Sequence, residues 1–241
     1  MKPQYIFKKI VNKLSIYFFR LLNRDLITLS KITQRNDLRQ IGTEYGGWVV
    51  PTDLLNANSV CYCVGCGEDI SFDLGLIEQF GCDVFAFDPT PRAIKYVKEN
   101  TAQNTKYHFF ELGLWDKEDI LKFYVPKNPK YVSHSFVNLQ KTEDYIEVQV
   151  ARLSKIMEDN EHDKLDLLKL DIEGAEYRVI ESFIKNGIDI KILCVEFDEC
   201  FNALDKNFKQ RIRKSVNKLL TLGYSLVCAQ GNGNYTFVKD I

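Results

Sequence analysis

Two glycines and a scatter of carboxylates carry the chemistry legible in this chain. Gly65 and Gly67 stand in V-G-C-G-E-D, directly after the apolar run Val60 to Val64. That run reads as a strand buried on both faces. Glycines placed there let the backbone turn tightly and approach a ligand where a side chain would obstruct it. Further along, Asp88 closes a second apolar run from Asp83 to Phe87, with Pro89 beside it. In a parallel α/β sheet, ligands bind outside the carboxyl ends of strands. An acid about 20 residues beyond the glycine turn is placed to accept hydrogen bonds from ribose hydroxyls.

A dinucleotide fingerprint would require glycine at position 70, where this chain has Ile70. Glu68 and Asp69 stand where a pyrophosphate would meet a helix N-terminus; they would repel phosphate but accept hydrogen bonds from an ammonium group. The ligand expected is therefore S-adenosylmethionine rather than NAD. An NAD-dependent oxidoreductase on a similar sheet, and a non-catalytic binding protein that keeps the fold, remain the alternatives.

Further candidates stand at the ends of other predicted strands. Gly113 and Leu114 follow the third strand, Tyr107–Leu112, where an adenine ring would meet backbone and an apolar wall. Asp171 ends the fourth strand, Leu165–Leu170, and Glu173 and Gly174 come next. Asp171, with Glu68 or Asp69, would balance a ligand ammonium. Glu196 ends the fifth strand and would face substrate. His134, one of three histidines, lies between Ser133 and Ser135 in a polar loop. It is the candidate general base, with Glu173 the other and the two serines as substrate contacts. Tyr45 and Trp48 flank the Gly46-Gly47 break and would cover the ligand.

The elements needed to position these groups are those of a doubly wound Rossmann-like sheet. Helices are predicted for Phe72–Phe80, closed by Gly81, and from Pro91 to about Asn100, with Thr90 as N-cap. A third ends at Gly187, and a fourth spans Phe201–Leu222. Tyr224–Gln230 and Tyr235–Lys239, joined by Gly231-Asn-Gly-Asn234, make a hairpin. Five parallel strands closed by that hairpin give seven, with a β-rich insertion at about 117–150 built on strands Leu121–Val125 and Ile146–Val150. Loop residues on such an insertion are where substrate contacts commonly reside.

The 241 residues are 45% hydrophobic and 27% charged, ordinary for a globular chain. Seven cysteines without a disulfide-framework pattern suggest a reducing compartment, hence the cytoplasm. Cys61, Cys63 and Cys66 read as core thiols rather than metal ligands, and no zinc or magnesium cluster is apparent in the sequence. Net charge is −1, but residues 1–40 hold nine Lys/Arg against two acids, and the remainder 23 against 31. The body is thus not expected to bind nucleic acid. Residues 1–24 form a basic amphipathic pattern, with Ile6, Ile10, Leu14, Tyr17, Phe18 and Leu21 at helical spacing and no run long enough to span a membrane. No small-residue cleavage site follows, so it is not expected to be a signal peptide. Such a helix can lie on an anionic membrane surface or pack on its own domain or a partner subunit. Residues 26–38 read as a second helix, and 1–40 as an extension to a domain over 41–241.

Several separated motifs resemble the FkbM-type methyltransferase family: LLKLDIEGAEYRVIES at 167–182, VGCGEDISFD at 64–73, FAFDPTPRA at 85–93, YGGWVVP at 45–51 and NPKYVSHS at 128–135. The resemblance covers roughly residues 41–241. It implies a class I methyltransferase fold, S-adenosylmethionine as methyl donor, and O-methylation of a hydroxyl on a sugar, glycan or secondary metabolite. The family's glycine loop carries over to Gly65 and Gly67, its ribose acid to Asp88, and its strand-four motif to Asp171, Glu173 and Gly174.

Overall fold

The structure, a computed structural model, describes residues 32–128, 130–230 and 233–239. The amphipathic pattern at 1–24 lies outside them.

Strands β1 (Leu38–Ile41) and β2 (Trp48–Pro51) form an antiparallel ribbon. Next come β3 (Val60–Val64), helix α1 (Ser71–Phe80), β4 (Asp83–Phe87), helix α2 (Pro91–Thr101) and β5 (Tyr107–Phe110). The insertion supplies β6 (Gly113–Trp115), β7 (Asp119–Tyr124) and β8 (Tyr145–Arg152). Helix α3 (Leu153–Asp159), β9 (Leu165–Leu170), helix α4 (Glu176–Lys185) and β10 (Ile190–Glu196) follow. Helix α5 (Phe208–Thr221), β11 (Tyr224–Ala229) and β12 (Asn234–Lys239) end the described chain.

The main sheet has seven strands in the order β11-β12-β10-β9-β3-β4-β5. β3, β4, β5, β9 and β10 run parallel, and β12 is antiparallel to both neighbours. The chain order reverses between β3 and β9, so the crevice at their carboxyl ends is the switch point where α/β sheets place ligands. The expected helix ends hold: Pro91 opens α2, and Gly81 closes α1 in the left-handed conformation at φ 67°.

The two-residue period of the strands divides the core. Tyr62, Val64, Leu168, Leu170, Leu193 and Val195 pack with Val179 and Phe183 of α4 and Ile212 and Val216 of α5. Their neighbours Cys61, Cys63, Leu167, Ile192 and Cys194 face the other way, onto Phe72 and Leu76 of α1. Burying side chains of this size stabilises by roughly 1.5–3 kcal/mol each, which explains why the central strands lack polar alternation. The cysteines of C-x-C-x-x-C sit in this second layer as buried free thiols.

Three expectations require correction. Within the described part of residues 26–38 there is no helix: Ile32 bridges Leu226, and Thr33 N–H donates to the Leu226 carbonyl at 2.7 Å. A free backbone edge has captured the segment, and β1 begins before the expected boundary at 40/41. The last helix starts at Phe208, not Phe201. Asp205 accepts from the Asn207 N–H at 2.7 Å, a local turn that competes with helix and leaves Phe201 and Asn202 for the site below. Finally, the third strand ends at Phe110 rather than Leu112, and Gly113–Trp115 is a separate short strand parallel to β8.

Candidate active site

A cavity of about 680 Å³ opens at the carboxyl ends of β3, β4, β9 and β10. Among its lining are Gly65, Gly67, Glu68, Asp69, Asp88, Pro89, Gly113, Leu114, Ser133, His134, Asp171, Glu173, Glu196 and Tyr45. Groups separated by up to 151 positions in the sequence thus share one space, because strand tips converge there.

On one side stands the glycine turn. Gly65 has φ +86°, and a Cβ there would lie 1.8 Å from the Asp171 carbonyl oxygen, so no other residue fits. Asp88 is buried at the tip of β4, and its Oδ2 accepts from the N–H groups of Cys66 and Gly67, each at 2.9 Å. Its Oδ1 accepts from Thr90 N–H at 2.8 Å. The acid therefore ties the turn after β3 to the start of α2 while it faces the cavity.

Glu68 and Asp69 have partners of their own. Glu68 pairs with Arg92, whose guanidinium also donates to the Lys130 carbonyl at 3.0 Å, joining turn, helix and insertion loop. Asp69 accepts from the Thr43 hydroxyl at 2.6 Å and Ser71 N–H at 2.9 Å. Burial opposes its charge, but these hydrogen bonds prevail and its pKa falls below the ordinary value. The two acids that were to receive an ammonium are thus engaged with protein groups.

The insertion forms the opposite wall. Phe123 and Phe136 stack with centroids 4.4 Å apart, and His134 packs against Phe123 at 5.3 Å. His134 Nδ1 lies 3.0 Å from the Val132 carbonyl. A carbonyl can only accept, so in the neutral ring Nδ1 is the protonated nitrogen and Nε2 bears the lone pair.

The floor is acidic. Burial pushes Glu173 up to about 8 against a hydrogen bond from Ser133, with Asp171 and Glu176 adding repulsion. Glu173 also holds φ +52°, a left-handed conformation uncommon outside glycine. Burial lifts Glu196 well above the carboxylate range, with Asp171 and Glu173 reinforcing it. Asp198 is raised in the same way. Lys169 is the one Lys or Arg among the described lining residues. Its ammonium donates to the Gly65 carbonyl and lies 3.6 Å from Asp171. Burial disfavours that charge, but Asp171 and Asp73 outweigh it and hold the lysine protonated.

Two expected contacts fall outside the cavity. Trp48 is buried in the layer beneath α1, because β2 turns its ring inward, and only Tyr45, 88% exposed, reaches the rim. Ser135 is also buried; its hydroxyl donates to the Glu173 carbonyl at 2.6 Å and so anchors the loop rather than meeting substrate. Residues the sequence reading passed over are Lys169, Asp198, Phe123, Phe136 and Phe201, all lining the cavity. Lys169 did carry a signal, a lone charge inside the apolar run Leu165–Leu170.

A seven-stranded sheet of this order, with its one antiparallel strand and with glycine turn and acid at the switch point, defines a class I, Rossmann-like methyltransferase fold. Comparison with known proteins makes the assignment narrower. The methyltransferase FkbM domain matches residues 63–225, and the chain belongs to that family. A probable methyltransferase-like protein 24 from Homo sapiens is 27% identical over 128 residues, which is 53% of this chain and 28% of that protein. The alignment therefore spans little more than a quarter of that relative's length. Among solved structures, a putative caffeoyl-CoA O-methyltransferase from Staphylococcus aureus superposes with a TM-score of 0.44 at 8% identity, covering 100% of this chain and 93% of its own. A fibrillarin pre-rRNA processing protein from Methanococcus jannaschii gives 0.44 at 12% identity, covering 76% and 67%. Among the described residues no helix is long and apolar enough to cross a membrane.

Proposed function

We propose that the chain uses S-adenosylmethionine to methylate a hydroxyl oxygen on a sugar, glycan or secondary metabolite. One observation carries the reading: a single cavity joins the glycine turn and Asp88 on one side to His134 and Glu173 on the other. The donor would supply an electrophilic methyl group. Gly67 presents bare backbone beside the space the donor's amino-acid portion would take, while Gly65 lets the turn pack directly against the Asp171 carbonyl. Asp88 retains acceptor capacity toward ribose hydroxyls beyond its three backbone bonds. Gly113 and Leu114, with Phe136 nearby, offer a flat apolar wall to an adenine ring.

The chain's own contribution to catalysis is placement. Holding an acceptor oxygen in line with the methyl group removes an entropic barrier of roughly 7–11 kcal/mol at most. His134 Nε2 is free to take the hydroxyl proton as the oxygen forms its new bond. Tyr45 and Phe201 at the rim, with the acids Glu173 and Glu196 below them, suit a polyhydroxylated acceptor: rings stack on C–H faces and carboxyl groups hydrogen-bond hydroxyls.

Calorimetric titration with S-adenosylmethionine, S-adenosylhomocysteine and NADH in parallel tests the donor. Micromolar binding of the first two and none of the third is expected, and an acceptor screen starting with sugars would follow. Binding of NADH alone would overturn the reading.

A further inference from the structure

The floor of the cavity has more carboxyl groups than the donor reading uses. Eight acids line the cavity against the single Lys169. That lysine is already committed to the Gly65 carbonyl and Asp171. One carboxylate oxygen from each of Asp171, Glu196 and Asp198 lies within 4.8 Å of the other two. Hard divalent cations hold oxygens at about 2.0–2.6 Å, so opposite ligands on one ion lie about 4–5 Å apart. The trio has that span without rearrangement.

A second observation points the same way. Asp198 is 5% exposed, and its Oδ2 has no hydrogen-bond partner. An unsatisfied buried carboxylate oxygen costs more than an ordinary lost hydrogen bond, because desolvation of the charge is not repaid. Nearby, the fully buried Glu176 gives one oxygen to the Ile172 and Gly174 N–H groups and leaves Oε2 unpartnered. Purely structural acids would have met a donor. Asp198 lines the cavity, where a cation would supply the partner it lacks; Glu176 lies behind it, within hydrogen-bond reach of the Asp198 side chain.

We propose that Asp171, Glu196 and Asp198 bind one divalent cation of the magnesium or manganese class. Three carboxylates and no nitrogen or sulfur make an all-oxygen site, which favours such ions over zinc or copper. The ligands come from the tip of β9 and from the tip of β10 and the residues just after it, so the sheet fixes their spacing. The open side of the ion faces the cavity, where two adjacent hydroxyls of an acceptor could complete its shell and one of them would lose its proton more readily. Cation binding itself is independent of the methyltransferase reading; only this use of the ion rests on it.

The test uses the full chain without acceptor. Free Mn²⁺ is followed by electron paramagnetic resonance during titration, and S-adenosylmethionine binding is measured separately by calorimetry in EDTA. One Mn²⁺ per chain is expected. Asp198→Asn and Glu196→Gln, both near-isosteric, should each weaken it at least about tenfold, since even groups that only support a metal ligand contribute that much. Asp119→Asn, on the exposed face of β7, should bind as wild type. Circular dichroism checks that each variant is folded. Mn²⁺ binding that is absent, or unchanged in both folded site variants, overturns the inference. If S-adenosylmethionine still binds in EDTA, that failure leaves the methyltransferase reading standing; if Mn²⁺ binds and the donor does not, the reverse holds.

Discussion

The Asp88 carboxylate accepts the Gly67 backbone N–H at 2.9 Å, so the acid at the tip of one strand holds the turn that follows its neighbour. Sequence position alone suggests a ribose contact. The structure adds that the same side chain gives the glycine turn its shape.

Asp88→Ala should therefore lower stability as well as donor affinity. Three backbone N–H groups lose a charged acceptor, each such bond contributing roughly 1.5–3 kcal/mol. Thermal unfolding should show a clear drop, and S-adenosylmethionine binding should become undetectable by calorimetry. Wild-type affinity in this variant would remove Asp88 from the donor site.

Removing the imidazole of His134 should affect turnover and spare donor binding. With Nδ1 committed to the Val132 carbonyl, Nε2 is the atom available for proton transfer. His134→Ala should reduce single-turnover methyl transfer by about 10²-fold or more. A rate near wild type would assign the proton to Glu173, and Glu173→Gln would then carry the larger loss.

Gly65→Ala places a methyl group against the Asp171 carbonyl at a backbone angle of +86°. Destabilisation of more than about 1 kcal/mol follows from the angle alone, and the clash adds to it. In denaturant titration the midpoint should fall. Gly67→Ala is the useful contrast, because its Cβ would meet only Val132 at 3.5 Å and the residual strain is that of φ +55°. It should fold and bind donor less tightly.

A pH effect on stability should arise away from the cavity. The His162 Nδ1 lies 2.8 Å from the hydroxyl of buried Tyr62. Burial lowers its pKa below the ordinary 6.5, with Asp163 and Asp83 opposing. A depressed value means the fold prefers neutral imidazole. This contribution is complete above the unfolded pKa of about 6.5 and is lost as pH falls through the lower folded value. The melting temperature of wild type should drop over that interval by more than that of His162→Gln. Identical pH profiles would show that His162 does not titrate differently in the folded state.

The parallel sheet was legible because its strands are almost continuously apolar and its turns carry glycine or proline at the points where backbone geometry demands them. Asp171 and Glu196 could be placed at strand tips by counting. What sequence could not convey is pairing between distant side chains. Arg92 reaching Glu68, or Thr43 reaching Asp69, depends on a loop docking that leaves no periodic trace. Trp48 failed as a cover because a strand, not a loop, carries it, and the two-residue period turned it inward. Asp198 was invisible for a related reason. Two positions beyond a strand end, nothing local indicates that its carboxylate will point at Asp171.

The contact between Ile32 and Leu226 has a bearing on solubility. β11 is the outermost strand of the sheet, and its far side would otherwise present bare N–H and C=O groups to any similar strand. The Thr33 N–H occupies the Leu226 carbonyl at the middle of that rim. A chain shortened to begin at Asp37 would keep the whole cavity yet uncover this rim, and sheet-to-sheet aggregation would be its characteristic failure. Ile32 and Thr33 thus close the middle of this rim to an incoming strand, a duty unconnected with methyl transfer.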